Sequence, residues 1–262
     1  MSAPVAVGTV ALTIIPVMAL LWYGQLRTRE ADAVDLAWTL GLGGAAVFYA
    51  AAVPSGAGWR RWMVAAMAGL WSLRLAAYLF GRVRSPGEDG RYRDLRVKWG
   101  RGAPLKFFVL FQAQAVLVVA LSAHFLLAMR PPDPSLRAAD LAGMAIWFVS
   151  LVGESVADRQ LQRFRAVPGN ERRVCRTGLW RYSRHPNYFF EWTHWLAYVP
   201  VAYGHAPLWA ILFAPALLLL SIRFVTGIPP IERRAAERRG EAYRRYQRTT
   251  SAFILWFPRR DR

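Results

Sequence analysis

Cysteine is almost missing from this 262-residue chain, lysine is nearly as scarce, and acidic residues number 16 against 34 basic ones. The lone Cys175 excludes an intrachain disulfide, and no Cys-x-x-Cys or Cys/His ligand cluster accompanies it. Neither a structural zinc nor a thiol-redox pair is therefore expected, and no metal site is assigned. Lys98 and Lys106 are the only lysines. The cationic surplus is thus almost entirely guanidinium, which stays charged and grips phosphate through two parallel hydrogen bonds. Internal repeats are absent too, which argues against the paired halves of many transporters. The cluster Gly41-Leu-Gly43-Gly44 lacks the spacing and preceding strand of a dinucleotide-binding turn, so a soluble domain of that kind is excluded.

What is abundant is apolar: 55% of residues are hydrophobic and the mean hydropathy is +0.19. Six stretches read as apolar helices of roughly membrane length: 3–23, 33–53, 62–81, 107–129, 139–156 and 206–224. A seventh, 188–203, is more polar. Backbone polar groups in lipid must be satisfied within the segment, so bilayer-spanning helices are the expectation. The fold class is all-α, a polytopic integral membrane protein of about seven transmembrane helices in one domain over 1–262. The first stretch has no basic region ahead of it and is too long for a signal peptide's apolar part, so it is expected to stay as a helix.

The most basic short loop lies near 82–106, and the positive-inside rule places it in the cytosol. Alternating from it puts the N-terminus outside and the C-terminus cytosolic. The loops about 82–106 and 158–187 and the tail 227–262 then gather on one face. This asymmetry accounts for the net charge of +18 without nucleic acid, which is not an expected partner.

Asp35, Arg74, Glu154 and Glu191 fall within the apolar stretches, with Asp158 just beyond. Charges at that depth cost at least ~2.5 kcal/mol each, so they face partners or a cavity. Structural ion pairs, for example Arg74 with Asp35 or Glu191, are one reading. The other is a cavity open to the cytosol, with loop arginines holding a polyanionic end of a ligand while an apolar reactant enters from the bilayer.

The run Thr177-Gly-Leu-Trp-Arg-Tyr-Ser-Arg-His-Pro-Asn-Tyr-Phe-Phe-Glu191 is the densest set of chemically able side chains. Gly178 and Pro186 mark a turn entering a helix. With Pro186 at the first helical position, Asn187, Glu191, His194 and Tyr198 share one face. Glu154 and Asp158 repeat the i, i+4 spacing, and Arg165 follows two turns later. These carboxylates suit amide or ribose donors, and the arginine suits phosphate.

This run resembles the signature of the bacterial DUF1295 family, relatives of steroid 5α-reductase. The similarity extends to Asp35-Leu-Ala-Trp38, to Leu73-Arg-Leu-Ala76 with Glu88-Asp-Gly-Arg-Tyr92, and to Glu241-Ala-Tyr-Arg-Arg-Tyr246. The resemblance implies a seven-helix reductase in the bacterial inner membrane, expected to be monomeric. It implies NADPH bound from the cytosolic face and hydride delivered to an enone of an apolar substrate.

Carried over by position, Asn187 and Glu191 match residues at the nicotinamide end, Asp158 matches an Asp, and Arg165 matches a phosphate-side Arg. Glu154 stands where those reductases have Asn. Arg74, Arg82, Arg181, Tyr182, His185, Tyr188, Arg223 and Tyr243 complete the expected cofactor-binding set. Asp35 falls near the substrate-ketone Glu, and Trp71 replaces the Tyr three residues before Arg74. An indole donates a hydrogen bond but delivers no proton in turnover, which leaves Tyr78 as the alternative donor. The expected catalytic set is Asp35, Trp71 and Tyr78.

A rival resemblance is to isoprenylcysteine carboxyl methyltransferases, in which Arg184–Tyr188 and Glu232-Arg233 would hold S-adenosylmethionine. The abundance of arginine and the polar Asn187/Glu191 face favour the phosphate-bearing NADPH.

Overall fold

Long apolar runs and proline at the start of several helices set the architecture. The computed structural model describes residues 1–84, 87–225 and 227–259, with the backbone alone for Arg82. The described residues form helices α1 (Ala3–Thr28), α2 (Ala33–Ala52), α3 (Gly58–Val83), α4 (Gly90–Trp99), α5 (Ala103–Met129) and α6 (Ala138–Ala166). These are followed by α7 (Pro186–Leu196), α8 (Tyr198–Ala202), α9 (Leu208–Leu220), α10 (Ile228–Arg239) and α11 (Glu241–Thr249), with no strand among them. Proline occupies the first turn of α1, α5, α7 and α10, where its missing N–H costs nothing and its fixed φ favours the helix.

Six helices are long and apolar enough to cross a membrane: Ala3–Thr28, Ala33–Ala52, Gly58–Gly81, Gly90–Met129, Ala138–Ala166 and Leu208–Arg239. By length and composition the chain is a multi-pass membrane protein. The seventh stretch, 188–203, is not among these six. It is divided into α7 and α8 by a turn at Ala197, because Pro200 has no N–H to offer the carbonyl of Leu196. Two expected loops are partly helical. The segment 82–106 contains α4, whose N-terminus is capped by the Asp89 carboxylate accepting from Arg91 N at 2.7 Å. The segment from 158 onward continues α6 to Ala166, since no glycine or proline interrupts it before Pro168-Gly169.

The chain divides into two compact units, 1–136 with 201–211, and 137–200 with 212–262. In the first, α2 packs on α3, and α1 and α2 pack on α5. Small residues let these helices approach: Gly43 lies against Ser72, whose hydroxyl donates to Thr39 O at 2.8 Å. Arg60 is fully buried and ties down the chain after α5, with its guanidinium donating to the carbonyls of Pro131 (2.9 Å), Asp133 (2.7 Å) and Ser135 (3.0 Å). In the second unit α6 packs on α7. Gly153 makes room there for the Phe190 ring, which a Cβ would overlap.

Candidate functional site

In the second unit three of the expected carboxylates are buried on two packed helices. Helix α6 carries Glu154 and Asp158, and α7 carries Glu191, all less than a tenth exposed. The Asn187 amide donates to Asp158 Oδ1 at 3.3 Å, joining the two helices. Trp195 Nε1 donates to Glu191 Oε1 at 3.4 Å, and the Tyr198 hydroxyl lies 3.2 Å from His194 Nε2. Asn187, Glu191 and His194 lie in α7, and the Tyr198 hydroxyl reaches His194 across the turn at Ala197.

Helix α6 is unbroken from Glu154 to Arg165. At about 100° per residue the side chains of Glu154, Asp158 and Arg165 fall within a stripe of roughly 40°, and Arg165 lies about 16 Å beyond Glu154 along the axis. Arg165 is exposed. It lies close enough to Arg239 and Arg238 for their guanidinium charges to repel one another. Like charges gathered in this way form a place for an anion.

The turn ahead of α7 is held by the tail of the same unit. Arg184 binds Glu232 through Nε (2.5 Å) and Nη2 (3.1 Å), and donates from Nη1 to the carbonyls of Gln247 and Thr250. His185 Nε2 stands 3.3 Å from the same Glu232, whose other oxygen accepts from Gln247 Nε2 at 3.1 Å. The Tyr246 hydroxyl donates to the carbonyls of Trp180 and Ser183. Gly178, at φ +58°, lies where a Cβ would overlap Gln160, whose Oε1 accepts from Leu179 N at 2.9 Å. Both the left-handed backbone and the close approach require glycine there.

Of the other expected cofactor residues, Arg74 and Arg82 belong to the first unit and the rest are dispersed within the second. Arg181 is exposed, Tyr182 packs edge-on to Phe257, and Tyr188 stacks on the His185 ring at 5.6 Å. Arg223 is exposed in a π-helical turn, Ser221–Val225, with its guanidinium over Phe224. Tyr243 is buried in a cluster with Tyr246 and Ala235, where burial raises its phenol well above the ordinary value.

In the first unit, Asp35 accepts from Arg91 at 2.7 Å and from the Tyr92 hydroxyl at 2.6 Å. The phenol beside Asp35 is therefore Tyr92, and Tyr78 lies instead under the Arg74 guanidinium at 5.9 Å. Trp71 is fully buried and edge-on to Trp38. The side chain of Arg82 lies outside those described. Sequence reasoning noted both Asp35-Leu-Ala-Trp38 and Glu88–Tyr92 but not their contact, which spans 57 positions and leaves no periodic signal. Glu232 entered only through the methyltransferase alternative, and Gln160 and Arg239 not at all.

Burial lowers the His185 imidazole below its ordinary value, while Glu232 draws it partly back. An unfolded chain, with a pKa near 6.5, takes up that proton first as the pH falls. The stability tied to neutral His185 is therefore complete above about pH 6.5 and is lost on acidification below it. Melting curves from pH 8 to 5 are expected to fall more steeply for the wild type than for His185→Gln. Parallel curves would remove His185 as the group responsible.

Apolar membrane-length helices carrying a buried strip of carboxylates and amides, with cations at its end, define a multi-pass membrane protein with a built polar interior. The chain belongs to the DUF1295 family, described as proteins of unknown function, whose family model matches residues 21–250. No curated protein and no solved structure matches it.

Proposed function

We propose that this protein is an NADPH-dependent membrane reductase that transfers a hydride to the C=C bond of an enone in an apolar, steroid-like or isoprenoid substrate. The observation that carries this reading is the α6 stripe. Buried Glu154 and Asp158, the latter bonded to Asn187 of α7, share one helix face with the exposed Arg165, which lies about 16 Å beyond Glu154 and whose charge is felt at Arg239. That donor set fits a dinucleotide, with amide and hydroxyl donors at one end and phosphates at the other. Arg165 with Arg239 would take phosphate, and Asn187, Asp158, Glu154 and Glu191 would take the nicotinamide end. Bound there, NADPH supplies the hydride. The substrate enters from the bilayer, and the cytosolic face carries the basic segments. The α7–α8 stretch is the seventh traverse, the N-terminus is outside, the C-terminus is cytosolic, and the protein works as a monomer in a bacterial inner membrane.

Arg165→Ala is expected to weaken NADPH by ~1.5–3 kcal/mol, the worth of a hydrogen bond to a charged group. It should weaken a phosphate-free nicotinamide analogue far less. Equal losses for both ligands in calorimetry would refute the phosphate role.

One observation favours a second reading, an S-adenosylmethionine-dependent methyltransferase. The turn Arg184–Tyr188 is tied to Glu232, the pair that such a site would use. In the reductase reading the same contacts position the turn ahead of α7. Calorimetry with both ligands separates the two, since tight S-adenosylmethionine binding without any response to NADPH would sink the reductase.

A further inference from the structure

A second polar place lies in the first unit, apart from every residue assigned above. A cleft of about 460 Å³ opens where α1 ends and α4 gives way to α5, lined by Leu26, Val97 and Pro104 on its apolar side and by the guanidinium-bearing Arg29, Arg96 and Arg101. The Trp22 indole donates to Pro104 O at 2.8 Å and meets Phe108 edge-on, so the last turns of α1 and the first of α5 are held side by side. Tryptophan at this level is the usual marker of a membrane–water interface.

The cations are prepared for an anion. Arg96 is fixed by Glu88 (2.6 Å) and Gln25 (3.1 Å) through Nε and Nη2, and its guanidinium lies 4.6 Å over the Phe107 ring. Its Nη1 makes no hydrogen bond among the described residues. Arg29 and Arg101 are exposed, and neither has a carboxylate within ion-pair distance among the described residues. Arg29 also holds a left-handed backbone, φ 59°, at the end of α1, a conformation that an arginine adopts at some cost. The cleft is therefore lined by three guanidinium groups, of which Arg96 is paired with Glu88.

The apolar surroundings decide the occupant. Away from the cleft, α1 exposes Leu12 and Leu20, and α5 exposes Leu105, Val109 and Val116. These two helices pack on one another and are both membrane-length. An occupant with a phosphate in the cleft and an acyl chain along the α1–α5 surface satisfies both halves, whereas a free phosphate would leave the apolar half bare. We propose that this cleft is a specific site for an anionic phospholipid, with Arg29, Arg96 and Arg101 on its phosphodiester.

The test uses the full chain in detergent with dioleoyl phosphatidylglycerol, dioleoyl phosphatidylcholine or inorganic phosphate added, read by native mass spectrometry and by melting temperature. The wild type is expected to retain phosphatidylglycerol and gain stability from it, with little effect from phosphatidylcholine or inorganic phosphate. Arg29→Gln/Arg101→Gln is expected to lose about twenty-fivefold in phosphatidylglycerol affinity, about fivefold for each direct exposed ion pair removed. Arg93→Gln/Lys98→Gln removes two neighbouring charges of the same helix or its end outside the cleft lining and should retain the lipid. A double cleft variant that binds as well as the wild type, a control that loses as much as the cleft variant, or equal stabilisation by inorganic phosphate would each overturn the proposal. Should the cleft variant fold poorly, Val97→Glu places a carboxylate at an exposed lining position and must lower phosphatidylglycerol retention if the site is real.

Discussion

Replacing Glu232 by alanine is expected to destabilise the protein by about 3–5 kcal/mol, as for one partner removed from a buried ion pair. Its carboxylate takes two bonds from Arg184, faces His185 and accepts from Gln247. Arg184 is less than a tenth exposed, so alanine would leave a desolvated guanidinium with carbonyls alone. Glu232→Gln should recover part of the loss by keeping hydrogen bonds without the charge. Thermal melting of the detergent-solubilised variants measures this, and a Glu232→Ala protein that melts with the wild type would show that the clasp contributes little. A cofactor-binding role for Glu232 predicts the reverse pattern, with weakened ligand affinity on an intact fold.

Glu191→Gln is expected to slow hydride transfer about a hundredfold while the apo protein melts close to the wild type. The substitution keeps the shape of the side chain and an acceptor for Trp195, and it removes the charge. If the carboxylate orients the nicotinamide carboxamide, an error of ~1 Å in positioning is enough for a loss of that size. If its charge instead balances a buried cation, stability should fall by ~3–5 kcal/mol. Single-turnover NADPH oxidation with an apolar enone, set beside the melting curve, separates these outcomes. A variant that melts much earlier yet keeps its rate when folded would show that Glu191 is structural.

The membrane-length helices were legible because length and apolarity are properties of a continuous stretch, and the six apolar stretches each correspond to one of the six candidate spans. Pro186 as a helix start was legible for a similar reason, since its fixed φ acts locally. The extent of α4 and the continuation of α6 past Asp158 were hidden, because charge runs read as loops while their helix propensity is good. Within the site, Asp158 and Asn187 could each be placed on a helix face, yet their hydrogen bond spans 29 positions and depends on how α6 meets α7. That approach turns on Gly153 admitting Phe190, a fit of volumes that periodicity does not encode. The link between Asp35 and Tyr92 was beyond reach for the same reason.

The two arginine anchors differ in how they answer to solvent. Arg184 is held by the Glu232 carboxylate and by the carbonyls of Gln247 and Thr250, so half of these bonds rest on an opposite charge. Three bonds from buried Arg60 end on the carbonyls of Pro131, Asp133 and Ser135, which neither gain nor lose protons. Fixed dipoles in a buried place are also little screened by dissolved ions. These three contacts of the segment after α5 are therefore indifferent to acidity and ionic strength, while the turn leading into α7 rests in part on the charges of an ion pair.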